Sequence, residues 1–233
     1  AINFPRRLTS SRVDSGDRDP AAAKAIAEKL VAAEHPVMHA GGGILLAQAS
    51  DELAALAEFL DIPVSRTLMG QGCISDAHPL MIGQTGFWGM EFTHSLTSKA
   101  DVILGLGTRF AEADSSSWYR GVTFDPDHTE FLQIDIDPAE IGRNYPVAIG
   151  AVGDLKLGLQ QILAEVKEIC PEGKQHPELR KATKEKAGAL MLNRQYRNRL
   201  LTLLARHFAC KWFLPLPIRM ARGWYHTLGF IRL

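Results

Sequence analysis

The sequence predicts an α/β protein with an open parallel sheet and helices on both faces. Two observations carry this. Short, continuously apolar segments recur, such as Val102-Ile103-Leu104-Gly105-Leu106, and a strand is apolar throughout only when both of its faces are covered. Between them lie stretches with apolar residues three and four apart, the pattern of an amphipathic helix. Parallel strands need such crossover connections, so the alternation implies one sheet with ligands bound outside the carboxyl ends of its strands.

The elements follow in order. Residues 2–8 read as the end of a strand, and residues 9–19, rich in Ser, Arg, Asp and Gly, as a linker. Asp19-Pro20 opens a helix, because Asp suits the N-cap and Pro is tolerated where an N–H has no partner. Ala23, Ile26, Ala27 and Leu30 form its apolar face, and His35-Pro36 stops it. Val37-Met38-His39-Ala40 is a short strand that runs into Gly41-Gly42-Gly43. Ser50 is expected to cap the next helix, with Asp51 and Glu52 in the first turn where the helix dipole favours negative charge. Its core face is Leu53, Leu56, Ala57 and Leu60.

Residues 63–68 read as the second strand, 91–99 as a helix, 102–106 as the third strand and 131–136 as the fourth. Asp137-Pro138-Ala139-Glu140 has the form of a helix start, with a cap, a proline at the first position and a glutamate reaching back. Residues 149–152 form a last strand. Asp154 then caps a helix carrying Leu155, Leu159, Ile162, Leu163 and Val166. The expected organisation is residues 1–19 as a remnant and linker, 20–170 as the α/β domain, and 171–233 as a linker and a basic tail.

Charge narrows the function classes. The 26 acidic and 26 basic residues cancel, but every acidic residue lies at or before Glu185, and nine Lys or Arg follow it. The body is therefore acidic and unsuited to a nucleic-acid backbone. Three widely spaced cysteines, Cys73, Cys170 and Cys210, support neither a disulfide framework nor a zinc site, and a reducing, cytoplasmic setting is expected. No apolar run reaches the length of a membrane span.

Candidate binding residues sit at the expected strand ends. Gly41, Gly42 and Gly43 follow the first strand, where glycine lets backbone turn and approach a phosphate or ribose, or simply provides a turn. The spacing is not GxGxxG. Thr67-Leu68-Met69-Gly70-Gln71-Gly72 follows the second strand. Gly107-Thr108-Arg109 follows the third, and Arg109 suits either a forked phosphate contact or a surface ion pair. Asp135 and Asp137 close the fourth. Either carboxylate can accept hydrogen bonds from a ribose or an adenine amine, although Asp137 is also the expected helix cap. No GxSxG, metal cluster or acid/base carboxylate pair stands out, so no catalytic residue is assigned.

In their order, Ala40-Gly41-Gly42-Gly43, Thr67-Leu68-Met69-Gly70-Gln71-Gly72, His78-Pro79-Leu80, Leu106-Gly107-Thr108-Arg109-Phe110, residues 134–144 and Val152-Gly153-Asp154 resemble the acetolactate-synthase-like thiamine-diphosphate enzymes over roughly residues 20–168. Ile2-Asn3-Phe4-Pro5-Arg6 is similar to the last strand of that family's preceding pyrimidine-binding domain. The resemblance implies the family's central, Rossmann-like domain. It implies transferase or lyase chemistry on a 2-oxo acid, with thiamine diphosphate and Mg2+ held by the pyrimidine- and diphosphate-binding domains in a homo-oligomer. It also implies that the central domain binds FAD or another ADP-containing ligand in some members and only supports the assembly in others.

Two departures bear on this. Ala111-Glu112-Ala113 stands where the synthases have Asp-Asp-Arg near the flavin, and Gly86-Phe87-Trp88-Gly89-Met90 replaces a Gly-Met-His-Gly segment. Neither the activating glutamate nor a Gly-Asp-Gly diphosphate motif is found, so a chain inactive by itself is expected. The basic, aromatic residues 187–233 do not resemble the family. They read either as an amphipathic surface-binding segment or, preferably, as a chain end without an evolved role.

Overall fold

A computed structural model describes residues 20–181 and 183. The chain divides into compact units Ala1–Ala187 and Gly188–Leu233, and all described residues belong to the first. The strand expected at residues 2–6 and the basic tail lie outside the described residues.

The elements, in order, are α1 (Pro20–Ala32), β1 (Val37–Ala40), α2 (Gly43–Leu46), α3 (Ser50–Leu60), β2 (Val64–Arg66), β3 (Met81–Gln84), α4 (Glu91–Thr97), β4 (Val102–Leu106), β5 (Glu130–Asp135), β6 (Val147–Val152) and α5 (Leu155–Ile169). Six strands form one sheet in the order β3-β2-β1-β4-β5-β6, and every neighbouring pair is parallel. This is the doubly wound Rossmann-like arrangement expected from the sequence. The chain goes outward from β1 to β3, then returns to lay β4 on the other side of β1. That reversal opens a crevice above β1 and β4.

Alternation along the strands builds two cores. Met38 and Ala40 of β1, with Leu104 and Leu106 of β4, pack with the buried faces of α1, α3 and α5. Val37 and Ile103 face the opposite core with Phe110, Phe124, Phe131 and Tyr145. His39 shares that second face, stacked on Phe110 at 5.5 Å and edge-on to Phe124 at 5.2 Å.

Several local expectations differ. Ala49, not Ser50, occupies the N-cap of α3, and it gives no side-chain cap bond. The expected helix start at Asp137 is only a turn, in which the Asp137 carboxylate accepts from the Ala139 N–H at 2.8 Å. Asp154 does cap α5, accepting from the Leu157 N–H at 3.0 Å. The edge strand β3 was not foreseen. It is four residues long, contains Gly83 at φ +102°, and pairs with β2 through an irregular register.

The segment beyond α5 packs back on the domain. The Lys174 N–H donates to the Phe59 carbonyl at 3.2 Å. Asp61, buried at the end of α3, accepts from the His176 N–H at 3.1 Å and from Arg180 Nε at 2.8 Å.

Candidate nucleotide cleft

The loops after five strands gather above the carboxyl edge of the sheet. After β1 and β4 the hydrogen-bond ladder continues into the loops: the Gly41 N–H donates to the Leu106 carbonyl at 2.9 Å, and the Gly43 N–H to the Gly107 carbonyl at 3.2 Å. The Thr67 N–H reaches the Ala40 carbonyl at 3.0 Å, the Gly107 N–H reaches Ile134, and the Gly153 N–H reaches Asp135. These bonds fix five strand tips relative to one another. A cavity of about 580 Å3 lies among them, within the range of small-molecule sites.

Of the residues singled out from the sequence, Gly41, Gly42, Gly43, Thr67, Met69, Gly107, Arg109, Asp135 and Asp137 line this cavity. Leu68 does not. Its side chain is about half exposed, and its contribution is a backbone N–H that donates to Asp114 Oδ1 at 3.1 Å. The reason is geometric: Leu68 leaves the end of β2 between Thr67, which is buried, and Met69, which turns over the cavity.

The glycines divide by cause. A Cβ on Gly41 or Gly43 would strike the backbone of Gly107, and one on Gly107 would strike Gly43. These three let two loops cross in contact, which requires no ligand. Gly42 differs, since a Cβ there would meet only Met69 at 3.2 Å. Its N–H has no acceptor among the described residues.

Electrostatics give the cleft a direction. Five carboxylates line it, Asp114, Asp135, Asp137, Glu140 and Asp154, against one guanidinium, Arg109. Among the described residues Arg109 closes no ion pair, so the surface ion pair that is the alternative to a phosphate contact is not formed there, although its charge acts on Asp114. Most of the carboxylates already hold protein donors: Asp154 caps α5, Asp137 closes its turn, and Asp114 holds Leu68. Asp135 accepts from the Asp137 N–H at 3.0 Å, and its carboxyl is raised above the usual carboxylate range chiefly by burial. Glu140 pairs with Arg143 through Oε1 at 2.8 Å, while its Oε2 is buried without a partner. The cleft therefore offers acceptors above β5, and an N–H with a cation above β1 and β4.

Two contributors were missed in the sequence. Gln133 is buried in β5, where its amide donates to the carbonyls of Thr108 and Glu140, both at 3.0 Å, and accepts from the Gly142 N–H at 2.9 Å. It ties the β4 loop to the turn after β5. A lone amide inside an apolar strand was the available signal, since a buried amide demands partners. Asp114 lies just beyond the segment compared with the synthases. It too is raised, chiefly by burial.

Among the described residues no three His, Cys, Asp or Glu side chains come together as a metal site. No helix of the described residues is long and apolar enough to cross a membrane.

Comparison with known proteins agrees with the family resemblance read from the sequence. Residues 23–162 match the family model of the thiamine pyrophosphate enzyme central domain. The chain is 42% identical over 139 residues to a probable acetolactate synthase large subunit of Methanococcus aeolicus, covering 59% of this chain and 22% of the relative. It is 41% identical over 143 residues to the corresponding protein of Methanocaldococcus jannaschii, covering 61% and 23%. It is 36% identical over 182 residues to a sulfoacetaldehyde acetyltransferase of Roseovarius nubinhibens, covering 78% and 29%. The chain thus spans less than a third of the length of these relatives. It belongs to the thiamine pyrophosphate enzyme family, of which it carries the central domain in a form similar to that of the acetolactate synthases.

Proposed function

We propose that this chain supplies the nucleotide-binding central domain of a thiamine-diphosphate-dependent 2-oxo-acid carboligase or decarboxylase, and that its cleft holds an ADP-containing ligand. The observation that carries the reading is the polarity of the cleft at the strand-order reversal. Ribose hydroxyls and an adenine amine are donors, and they match Asp135 and the unpartnered Glu140 Oε2. Phosphates are acceptors with negative charge, and they match the Gly42 N–H and Arg109. The reverse orientation would set phosphate against Asp135, Asp137 and Glu140.

Decarboxylation and carbon–carbon bond formation belong, on this reading, to neighbouring pyrimidine- and diphosphate-binding domains. When bound there, thiamine diphosphate supplies the carbanion chemistry. The central domain orients its nucleotide and holds the assembly together. Exposed Leu46, Met69, Trp88 and Ile136 at the same edge support contact with such neighbours or with a second copy. The described residues taken alone are expected to be inactive.

A purely structural role is favoured by one observation, the crossing of Gly41, Gly43 and Gly107, which needs no ligand. Titration calorimetry of the chain with ADP separates the two. The nucleotide reading expects saturable binding that Arg109→Ala and Asp135→Asn each weaken by about tenfold or more. Absence of heat with ADP, FAD and NAD alike contradicts it. Turnover of 2-oxo acids by the chain alone, with thiamine diphosphate and Mg2+ added, would contradict the division of labour.

A further inference from the structure

After β4 the chain does not continue outward. Within residues 110–118 the chain instead comes back to the tip of β2, where the Asp114 carboxylate accepts the Leu68 N–H at 3.1 Å. On the far side of this strap the backbone of Gly86 is packed against it, and a Cβ there would lie 1.9 Å from the Ala113 carbonyl oxygen and 2.6 Å from Asp114 Cα. Asp114 is thus wedged between the loop after β2 and the loop after β3.

The strap is also fastened to its surroundings. Trp118 Nε1–H donates to the Phe110 carbonyl at 2.9 Å. Asn144 donates to the Arg109 carbonyl at 2.8 Å. Ser116 and Thr123 share a hydroxyl hydrogen bond at 2.7 Å. Four of its residues, Phe110, Ser116, Ser117 and Trp118, take left-handed backbone angles, a conformation that costs energy without such fastening.

This fixes one end of the cleft. With the nucleoside above β5 and the diphosphate above β1 and β4, whatever follows the diphosphate must leave toward β2. There it meets Asp114 and Leu68. We infer that Asp114, bonded to the Leu68 N–H, closes the β2 end of the cleft and restricts its ligand to a nucleotide that ends at the diphosphate, barring the second half of a dinucleotide such as FAD or NAD. This rests on the nucleotide reading above and sharpens it. Specificity here is a difference of affinities created by an obstruction.

The test is the ratio of FAD to ADP affinity, measured on the full 233-residue chain by calorimetry and by quenching of flavin fluorescence. The wild type is expected to bind ADP at least as tightly as FAD. Asp114→Ala opens the end and shifts the ratio toward FAD by about tenfold or more, or about 1.4 kcal/mol. Asp114→Asn, whose amide oxygen still accepts the Leu68 N–H, keeps the wild-type ratio, and Asp114→Ser, which shortens the side chain as well, replaces the alanine variant if that one does not fold and is expected to give the same shift. A wild type that prefers FAD by about tenfold, an unchanged ratio in folded Asp114→Ala, or an asparagine variant equal to the alanine one overturns the inference while leaving nucleotide binding intact. Binding of neither nucleotide overturns both.

Discussion

Gly41 and Gly107 meet backbone to backbone: a Cβ on Gly41 would sit 2.1 Å from the Gly107 carbonyl oxygen. This contact is where the loops of β1 and β4 cross, and it sets the floor of the cleft. Gly41→Ala is therefore expected to destabilise the domain by about 2 kcal/mol or more, since neither backbone can yield without breaking the ladder. Gly42→Ala faces only Met69 and is expected to cost less than about 1 kcal/mol. Urea denaturation of the two variants checks the contrast. Equal losses would mean that the crossing is looser than described.

Gln133 makes a second structural prediction. Gln133→Leu leaves the Thr108 and Glu140 carbonyls and the Gly142 N–H without their shared partner. A loss of about 2–4 kcal/mol is expected from the unsatisfied buried groups. Hydrogen exchange at the Gly142 amide should quicken selectively. Unaltered exchange there would show that the glutamine does not hold the turn.

The pH dependence follows from His39. The ring is fully buried between Phe110 and Phe124, Nδ1 is bonded to Ser65 Oγ at 3.0 Å, and burial lowers its pKa to about 3. In the unfolded chain a histidine titrates near ~6.5. Between those two values the unfolded state binds a proton that the folded state refuses. Stability is thus full above pH ~6.5 and falls as the pH drops, by up to about 1.4 kcal/mol per pH unit. His39→Phe removes this contribution. Comparing urea midpoints at about pH 7.5 and 5 should show a smaller fall in the variant than in the wild type. Identical falls would assign the acid sensitivity to other groups.

Asp135 couples stability to function in the opposite sense. Burial raises its carboxyl, so its ionised form is disfavoured in the folded domain and weakens it at neutral pH. Asp135→Asn keeps an acceptor for the Asp137 N–H and should raise the unfolding midpoint at pH ~7 while weakening ADP by about tenfold or more. A variant that is both less stable and unaltered in binding would remove Asp135 from the site.

How far the sequence disclosed this molecule depended on run length and burial. Val102–Leu106 was legible to the residue because a strand covered on both faces is apolar throughout, and Val37–Ala40 because its run, interrupted only by His39, ends in three glycines. The edge strand Met81–Gln84 was not, since a short strand with a central glycine carries no period. Asp137-Pro138-Ala139-Glu140 has every local feature of a helix start, yet Gln133 takes the Glu140 carbonyl and holds the segment as a turn. In the cleft, strand-end glycines and charges could be placed because the topology puts all strand ends on one edge. Asp114 could not, because it reaches Leu68 through a strap whose path is set by left-handed residues that the sequence does not announce.

Amide hydrogen exchange of the full chain with and without saturating ADP tests the central claim most directly. A nucleotide seated at the strand-order reversal predicts slowed exchange in 41–46, 107–110 and 135–137, with α1, none of whose residues lines the cavity, unaltered. Unaltered exchange in all three loops at a concentration where ADP is shown to bind, or protection confined to other parts of the domain, would contradict it.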